Sequence, residues 1–540
     1  MPVKSGGDAV VEALVTHGID TLFCLPGVQS DHLFNAIFDS NGALTPIHTR
    51  HEQGAAYMAL GSAMATGRPA AYSVVPGPGF LNSCAALSTA WAVNAPVMAL
   101  IGQLPRIGIG KGWGLLHEIP DQTAILSQLT KHASRIDTPQ EAPLKIAEAY
   151  RAVTSGRPRP VGIELPADML SNKADVAAVA PLPREDYPVA VPDDVMRAAD
   201  IIAKAEHPII FASSGAIRAA DEVRALAEKI GAPVVGHRLG RGILDARHPL
   251  AHTFTSVHPL WKHCDVVIVV GARAHLPLQT WGWDDKIKLI RIDVDPAELD
   301  RFQKPEVAIL GDSLATLAAI NEQLKARSID AKPRIATSRE RQVQFAADIK
   351  GLEPQLSYLR AIRDVLPDDG ILIDDLTQVG YVARVAYPVY KPRTLITSGF
   401  QGTLGWGVAT ALGAKHAVGD RPVVVISGDG GFMYNVQELS TAVRHRIGAV
   451  FVVFNDGAFG NVKRMQQELH GNRVIASDLL NPDFVKLGES YGLAAQRVRS
   501  PEAFRTALEK AIASGEPNLI EVSFGEVPSP WPFIELPKVR

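Results

Sequence analysis

Two short stretches carry residue types that could hold a phosphorylated ligand through a metal ion. Gly428-Asp429-Gly430-Gly431 closes the run Val423-Val424-Val425-Ile426-Ser427, and Asn455-Asp456-Gly457 closes Ala449-Val450-Phe451-Val452-Val453-Phe454. A β-branched apolar run reads as a buried parallel strand. The glycines let backbone approach a ligand closely and leave amides free for an anion. Asp429 offers a carboxylate and Asn455 a side-chain amide oxygen, each at the carboxyl end of its strand. In an open α/β sheet, neighbouring strand ends share one crevice, and ligands bind there. A carboxylate, an amide oxygen and a loop carbonyl beside free amides suit Mg²⁺ holding a diphosphate. A lone Gly-Asp-Gly would read as an ordinary strand–turn–helix with an incidental Asp. It is the second strand end, with its own oxygen donor, that favours the metal reading.

The elements that must position these residues follow from the rest of the chain. At 540 residues it is long enough for about three domains, each with its own core. With 46% hydrophobic and 21% charged residues and a net charge of −3, nothing argues for nucleic acid or an anionic membrane surface as a partner. Mixed charges such as Ser338-Arg339-Glu340-Arg341 read as a solvated face. Cys24, Cys84 and Cys264 are too scattered for a disulfide framework or a zinc site, and read as small apolar residues in a reducing compartment. The first residues show no basic-then-apolar signal, and no apolar run reaches the roughly 18 residues of a membrane span. A cytoplasmic protein is the expectation.

Strands alternate with helical stretches throughout, which predicts a parallel α/β architecture. Expected strands are Thr21–Leu25, Val97–Ile101, Val161–Leu165, Ile209–Phe211, Val266–Val270, Leu289–Ile292, Ile371–Ile373, Val423–Ile426, Phe451–Phe454 and Leu519–Val522. The Pro-rich, polar region 171–195 and the charged region 325–345, with Ala331-Lys332-Pro333, read as interdomain linkers. Three domains are therefore expected at about 1–170, 190–325 and 350–540. Pro528-Ser529-Pro530-Trp531-Pro532 can continue neither a helix nor a central strand, so the end of the chain is expected to be a tail over a surface, with closure of the active site as the alternative.

The Gly-Asp-Gly/Asn-Asp-Gly pair resembles the thiamine diphosphate (ThDP) signature of a large family of 2-oxo acid decarboxylases and carboligases, which includes acetolactate synthase, pyruvate oxidase and benzaldehyde lyase. The resemblance covers nearly the whole chain. It implies three domains in order, pyrimidine-binding, central and diphosphate-binding, each a mostly parallel sheet flanked by helices. It also implies Asp429, Asn455 and the carbonyl of Gly457 as ligands of Mg²⁺, with the turn of Gly428, Gly430 and Gly431 around the diphosphate. Arg50-His51-Glu52 matches the family's R-H-E segment, so Glu52 would hydrogen-bond N1′ of the aminopyrimidine. A buried carboxyl can share its proton there and favour the imino tautomer that removes the C2 proton. Taken alone, Glu52 would read as a helix cap.

Further matches place other residues. Thr403 and Leu404 fall in the stretch that supports the bent cofactor, with Leu404 at the supporting position. Thr377 and Gln378 fall in a loop that contacts the diphosphate. Pro76-Gly77-Pro78-Gly79-Phe80-Leu81-Asn82 resembles G-P-G-x-x-N, placing Asn82 near the pyrimidine, and Pro26, in Leu25-Pro26-Gly27-Val28-Gln29, belongs to a turn facing the reacting carbon. Two positions depart from the relatives. His117 stands where acetolactate synthase and pyruvate oxidase carry glutamine, and could relay protons near neutrality. Gln29 replaces the glycine, alanine or histidine that relatives place near their substrate. There is no adjacent His pair in the first domain, against a simple pyruvate decarboxylase, and Glu52 argues against the glyoxylate-specific carboligases.

The expected activity is acetolactate synthase-like chemistry on a small 2-oxo acid. The alternatives are a lyase of a 2-hydroxy ketone or 2-hydroxyacyl-CoA, and a catalytically idle ThDP-binding homologue. No G-x-G-x-x-G opens a helix near an acidic ribose partner, which disfavours a nicotinamide dehydrogenase. Gly271-Ala272-Arg273 and Ile292-Asp293-Val294-Asp295-Pro296 resemble the group whose central domain binds FAD. Thr253–His258 lacks the accompanying G-M-H-G, so FAD is not the expected occupant and a non-catalytic nucleotide such as ADP is left open. The family site lies between subunits, so a homodimer or homotetramer is implied.

Overall fold

A computed structural model describes residues 2–540. The alternating pattern resolves into three parallel six-stranded sheets with helices between the strands, plus a small antiparallel ribbon of Val3–Ser5 with Lys173–Asp175. All ten expected strands are present, within one or two residues at most ends. The chain forms two compact units, one made of the chain through Glu185 with Ser398–Val498 and Ala507–Ser523, the other of Asp186–Thr397, Arg499–Thr506 and Phe524–Arg540.

In the first unit, one parallel sheet has the order Thr45–His48, Thr21–Cys24, Ala70–Val74, Val97–Gln103, Val161–Pro166, His132–Arg135. Four strands of the third sheet follow in the order Val423–Gly428, Val450–Asn455, Asn518–Ser523, Ala494–Val498. The central strands are mostly apolar because both faces are covered, with isolated buried polar residues such as Glu164 and Glu521. Helix Glu52–Thr66 is rich in alanine and glycine, is buried almost all round, and ends where Gly67 takes a left-handed turn at φ 74°. It crosses helix Gly407–Val418 so closely that a Cβ on Gly61 would stand 2.0 Å from the Thr410 carbonyl oxygen, and one on Gly413 1.8 Å from that of Met58. Backbone cannot give way as a side chain can. Gly61→Val is therefore expected to cost at least about 1–3 kcal/mol, seen as a lower urea midpoint; an unchanged midpoint would show that the crossing relaxes freely.

In the second unit, the central sheet runs Ala251–His252, Val234–Gly236, Pro208–Ala212, Val266–Val270, Lys288–Asp293, Val307–Leu310, all parallel. The pair Ile371–Asp374 and Leu395–Thr397, also parallel, belongs to this unit. One face of the central sheet carries an aromatic cluster in which Trp281 meets Phe254, His258 and Trp261 at 5.0–5.6 Å between ring centroids.

The end of the chain packs over this cluster. Thr255 donates to the Phe533 carbonyl at 2.6 Å, His258 Nε2 to that of Pro537 at 2.8 Å, and Val539 N–H to that of Trp281 at 3.0 Å. The tail is thus a strap over the aromatic face of the central sheet. The region 325–345, expected as a linker, is largely helix, Lys332–Asp348. Pro333 opens that helix, where its missing N–H costs nothing. The low apolar content reflects a helix with only Ser338 buried, tied down by Arg334 to the Ile230 carbonyl and Gln342 to those of His248 and Ala251.

Candidate active site

Parallel register brings the two oxygen donors together. Gly428 lies opposite Phe454, so Asp429 and Asn455, one residue further on, leave the sheet side by side on strands about 4.8 Å apart. Asp429 Oδ2 accepts the Gly457 N–H at 2.9 Å and Asn481 Nδ2 at 2.5 Å. Asn455 Oδ1 accepts the same two donors at 3.3 and 3.0 Å. The orientation of the Asn455 amide is forced, because its Nδ2 donates at 2.9 Å to Glu521, an acceptor held in turn by Arg497 at 2.8 Å. Gly457 turns its N–H back to both oxygens through a φ of 69°, a conformation that favours glycine. Its carbonyl accepts Leu479 N–H at 2.8 Å, which leaves one lone pair.

This donor set fits a hard cation. Two oxygens converge, one from a carboxylate and one from an amide, and a second carboxyl, Asp456, stands close by; burial, then the charge of Asp429, pushes it up to about 7. Carboxyls crowded in this way call for a cation or a proton between them. The tight turn is built from Gly428 and the short helix Asp429–Phe432, where Gly430 and Gly431 are buried; a Cβ on Gly430 would stand 2.5 Å from the Phe459 ring. Asn481 and Glu521 were not expected from the sequence. They orient the two oxygens without standing in either motif, and nothing local in Leu480-Asn481-Pro482 or Ile520-Glu521-Val522 signals it. Asn481→Leu is expected to weaken Mn²⁺ or Mg²⁺ binding in the presence of ThDP by about 10- to 100-fold, the usual effect of losing an outer-sphere partner. Calorimetric titration would show it; wild-type affinity would remove Asn481 from the site.

Glu52 is not the helix cap. His51 takes that place, its Nδ1 accepting Gln53 N–H at 3.1 Å, and Glu52 is the first helical residue. Its carboxylate is instead met by Asn82 Nδ2 at 3.1 Å, so Glu52 and Asn82 come together from separate motifs. The entry to this helix is anchored by a residue the sequence did not single out. Arg50 N–H donates to both oxygens of Glu438, at 3.2 and 3.1 Å, and Thr441 donates to one of them at 2.6 Å. Glu438 is fully buried, and burial raises its carboxyl above the usual range. A Cβ on Gly54 would strike its Oε1 at 2.5 Å, which explains the glycine two residues after Glu52.

A third group forms at the carboxyl ends of the first sheet. Gln29, in the turn Val28–Ser30 after exposed Pro26, is buried and donates from Nε2 to the Leu116 carbonyl at 3.2 Å. His117 holds a left-handed φ of 67°, and its carbonyl lies 2.2 Å from where a Cβ on Gly77 would be. Gln29 Oε1 and His117 Nδ1 are both buried with no hydrogen-bond partner among the described residues. Unpaired polar atoms and a strained backbone together mark a place where a ligand group fits.

Thr403 Oγ1 lies 3.4 Å from that of Thr89, and half-buried Leu404 is held in a turn whose Gly405 carbonyl accepts Asn435 Nδ2 at 2.6 Å. Thr377 and Gln378 belong to the second unit, at the start of helix Gln378–Ala386, where Gln378 Oε1 is buried without a partner among the described residues.

Three family models match in chain order. They are the N-terminal TPP binding domain of thiamine pyrophosphate enzymes over residues 4–125, the central domain over 195–320 and the C-terminal TPP binding domain over 375–522. The chain is similar to a probable 2-ketoarginine decarboxylase of Pseudomonas aeruginosa, 33% identical over 96% of this chain and 94% of the relative. It is likewise 33% identical to a probable acetolactate synthase large subunit of Methanocaldococcus jannaschii, over 96% and 91%. The acetolactate synthase isozyme 2 large subunit of Escherichia coli is 30% identical over 98% and 97%.

Proposed function

This chain belongs to the thiamine pyrophosphate enzyme family, as an acetolactate synthase-like ThDP-dependent decarboxylase or carboligase of 2-oxo acids, and from that premise we propose which of its residues carry the chemistry. Asp429, Asn455 and the Gly457 carbonyl hold Mg²⁺, and the turn of Gly428, Gly430 and Gly431 with Thr377 and Gln378 holds the diphosphate. The observation that carries this reading is the convergence of Asp429 Oδ2 and Asn455 Oδ1 on the same two N–H donors. Thr403 and Leu404 would support bound ThDP, Asn82 would lie near its aminopyrimidine, and Pro26 belongs to the turn that would face the reacting carbon. When bound, ThDP supplies the electron sink for cleaving the bond to a carboxylate. Glu52 holds a proton at N1′, and Asn82, donating to the Glu52 carboxylate, fixes that group in place. Gln29 and His117 face the substrate with the unpaired Oε1 and Nδ1, and His117 moves a proton at the reacting carbon.

Three domains at about 1–170, 190–325 and 350–540 are part of this reading, supported by the matched ranges, one of which falls within each. So are a homodimer or homotetramer, no flavin in the central domain, and a cytoplasmic setting, in keeping with three unpaired cysteines. Among the described residues, no helix is long and apolar enough to cross a membrane.

The test offers Mg²⁺- and ThDP-loaded protein a panel of 2-oxo acids, pyruvate and 2-ketoarginine among them, while CO₂ release is followed. Turnover of at least one donor is expected. No turnover with any donor overturns the reading, and aldehyde release from 2-hydroxy ketones alone would put a lyase in its place. A colourless purified protein is expected; an oxidised-flavin spectrum would refute the flavin-free central domain.

A further inference from the structure

A carboxyl is buried inside the first sheet. Glu164, on strand Val161–Pro166, has no exposed surface. Burying a carboxyl in a sheet costs free energy unless its oxygens are hydrogen-bonded, and a branched apolar residue would fill the place without that cost. Its partners supply the reason. Glu164 Oε1 accepts Gln122 Nε2 at 3.0 Å and Gln103 Nε2 at 3.2 Å, and Oε2 accepts the Thr123 hydroxyl at 2.7 Å. Gln122 Nε2 also donates to the Gly102 carbonyl at 3.0 Å. Both groups that meet this nitrogen are acceptors, so the orientation of the Gln122 amide is forced. Its oxygen faces the other way and accepts the Gly77 N–H at 2.9 Å.

Gly77 is where this network reaches the candidate active site. In Pro76-Gly77-Pro78 neither proline has an N–H, so Gly77 carries the one amide that can be held there. Its φ of 57° favours glycine, and its carbonyl accepts Leu81 N–H at 2.9 Å at the start of helix Pro78–Val93. The first turns of that helix carry Asn82, which donates to Glu52. On its other side Gly77 packs against the His117 carbonyl, with no room for a Cβ between them. The left-handed backbone of His117 is a strain that persists only where the surroundings hold it. Gln29 bonds the carbonyl of Leu116, just before it, and the Gly77 turn closes on its own. Gln122 opens helix Gln122–Leu129, five positions after His117. One side chain thus ties the loop of His117 to the turn before Asn82.

We propose, on the roles given above to Glu52 and His117, that Gln122 is a positioning residue for the reaction and that Glu164 aims it. Glu164 fixes the amide, the amide holds the Gly77 turn, and the turn sets Asn82 on one side and His117 on the other.

The test uses variants loaded with Mg²⁺ and ThDP, each first checked for folding by circular dichroism. Gln122→Met, of similar length but unable to accept the Gly77 N–H, is expected to lower kcat about 10- to 100-fold with KM within a few-fold, as for a misplacement on the order of 1 Å. Glu164→Leu should do the same. Glu164→Gln should stay near wild type, because its amide oxygen can take both glutamine donors and its NH₂ can face Thr123 Oγ1, which accepts as well as donates. The double variant Gln122→Met with Glu164→Leu should be no slower than Gln122→Met alone, since losses along one shared path do not add. If Glu164→Leu does not fold, Thr123→Val takes its place, freeing one Glu164 oxygen at a half-buried position and lowering kcat in the same direction.

Two readouts need no substrate. Mass-spectrometric hydrogen exchange should show the Gly77 amide exchanging faster in Gln122→Met, and the C2 proton of bound ThDP, followed by NMR, should exchange into D₂O more slowly. A wild type that exchanges this proton yet turns over no donor would refute the proposed reaction, and the exchange rates of the variants would then decide this inference. Wild-type kcat and C2 exchange in folded Gln122→Met, equal damage from Glu164→Gln and Glu164→Leu, or losses that multiply in the double variant would overturn it.

Discussion

Glu52→Gln lowers kcat by about 100- to 10 000-fold, the range for losing a general acid–base group, while ThDP affinity stays within a few-fold. Glutamine keeps the length of the side chain and still offers an oxygen to Asn82 Nδ2, which stands 3.1 Å from the carboxylate. What it loses is the proton that a carboxyl can share with N1′. Helix entry should survive, because His51 caps the helix and Glu438 holds the Arg50 N–H, with no part taken by the Glu52 side chain. Steady-state CO₂ release and a ThDP titration read the two quantities separately. A variant with wild-type kcat would exclude Glu52 from proton transfer, and a variant that loses ThDP binding instead would make it a binding residue.

Asp429→Asn raises the Mg²⁺ needed for holoenzyme formation by more than the roughly 100-fold that outer-sphere losses reach. The substitution keeps shape and one oxygen but removes the formal charge that stands beside Asn455. It also places an amide where Oδ2 now accepts from both Gly457 N–H and Asn481 Nδ2, so one rotamer sets N–H against N–H. Mn²⁺ titration followed by electron paramagnetic resonance would measure the shift directly. Unchanged affinity would move the metal away from the carboxyl end of strand Val423–Gly428.

The parts of this protein that were legible beforehand are those written in consecutive residues. Valine- and isoleucine-rich runs specify buried strands, so Val266–Val270 was located to the residue and Val423–Gly428 to within two. Ala70–Val74 carries no strand signal of its own, since Ala-Ala-Tyr-Ser-Val has little β-branched character; it is a strand because neighbours pair with it on both sides. The charged region 325–345 reads as a linker, yet most of it is helix, because a helix lying on a surface needs few apolar residues when backbone carbonyls beneath it take its side-chain hydrogen bonds.

The cofactor class and the strand ends that carry the oxygen donors are written in consecutive residues, since glycine-rich turns and paired donors are local patterns with local physical causes. What orients those donors comes from packing between segments far apart in the chain. Glu438 reaches the helix entry at Arg50, Glu521 turns the Asn455 amide, and Asn481 joins Asp429 to Asn455. In each case a buried polar group must find a partner, and which partner it finds depends on how distant segments pack, which no single stretch of chain records.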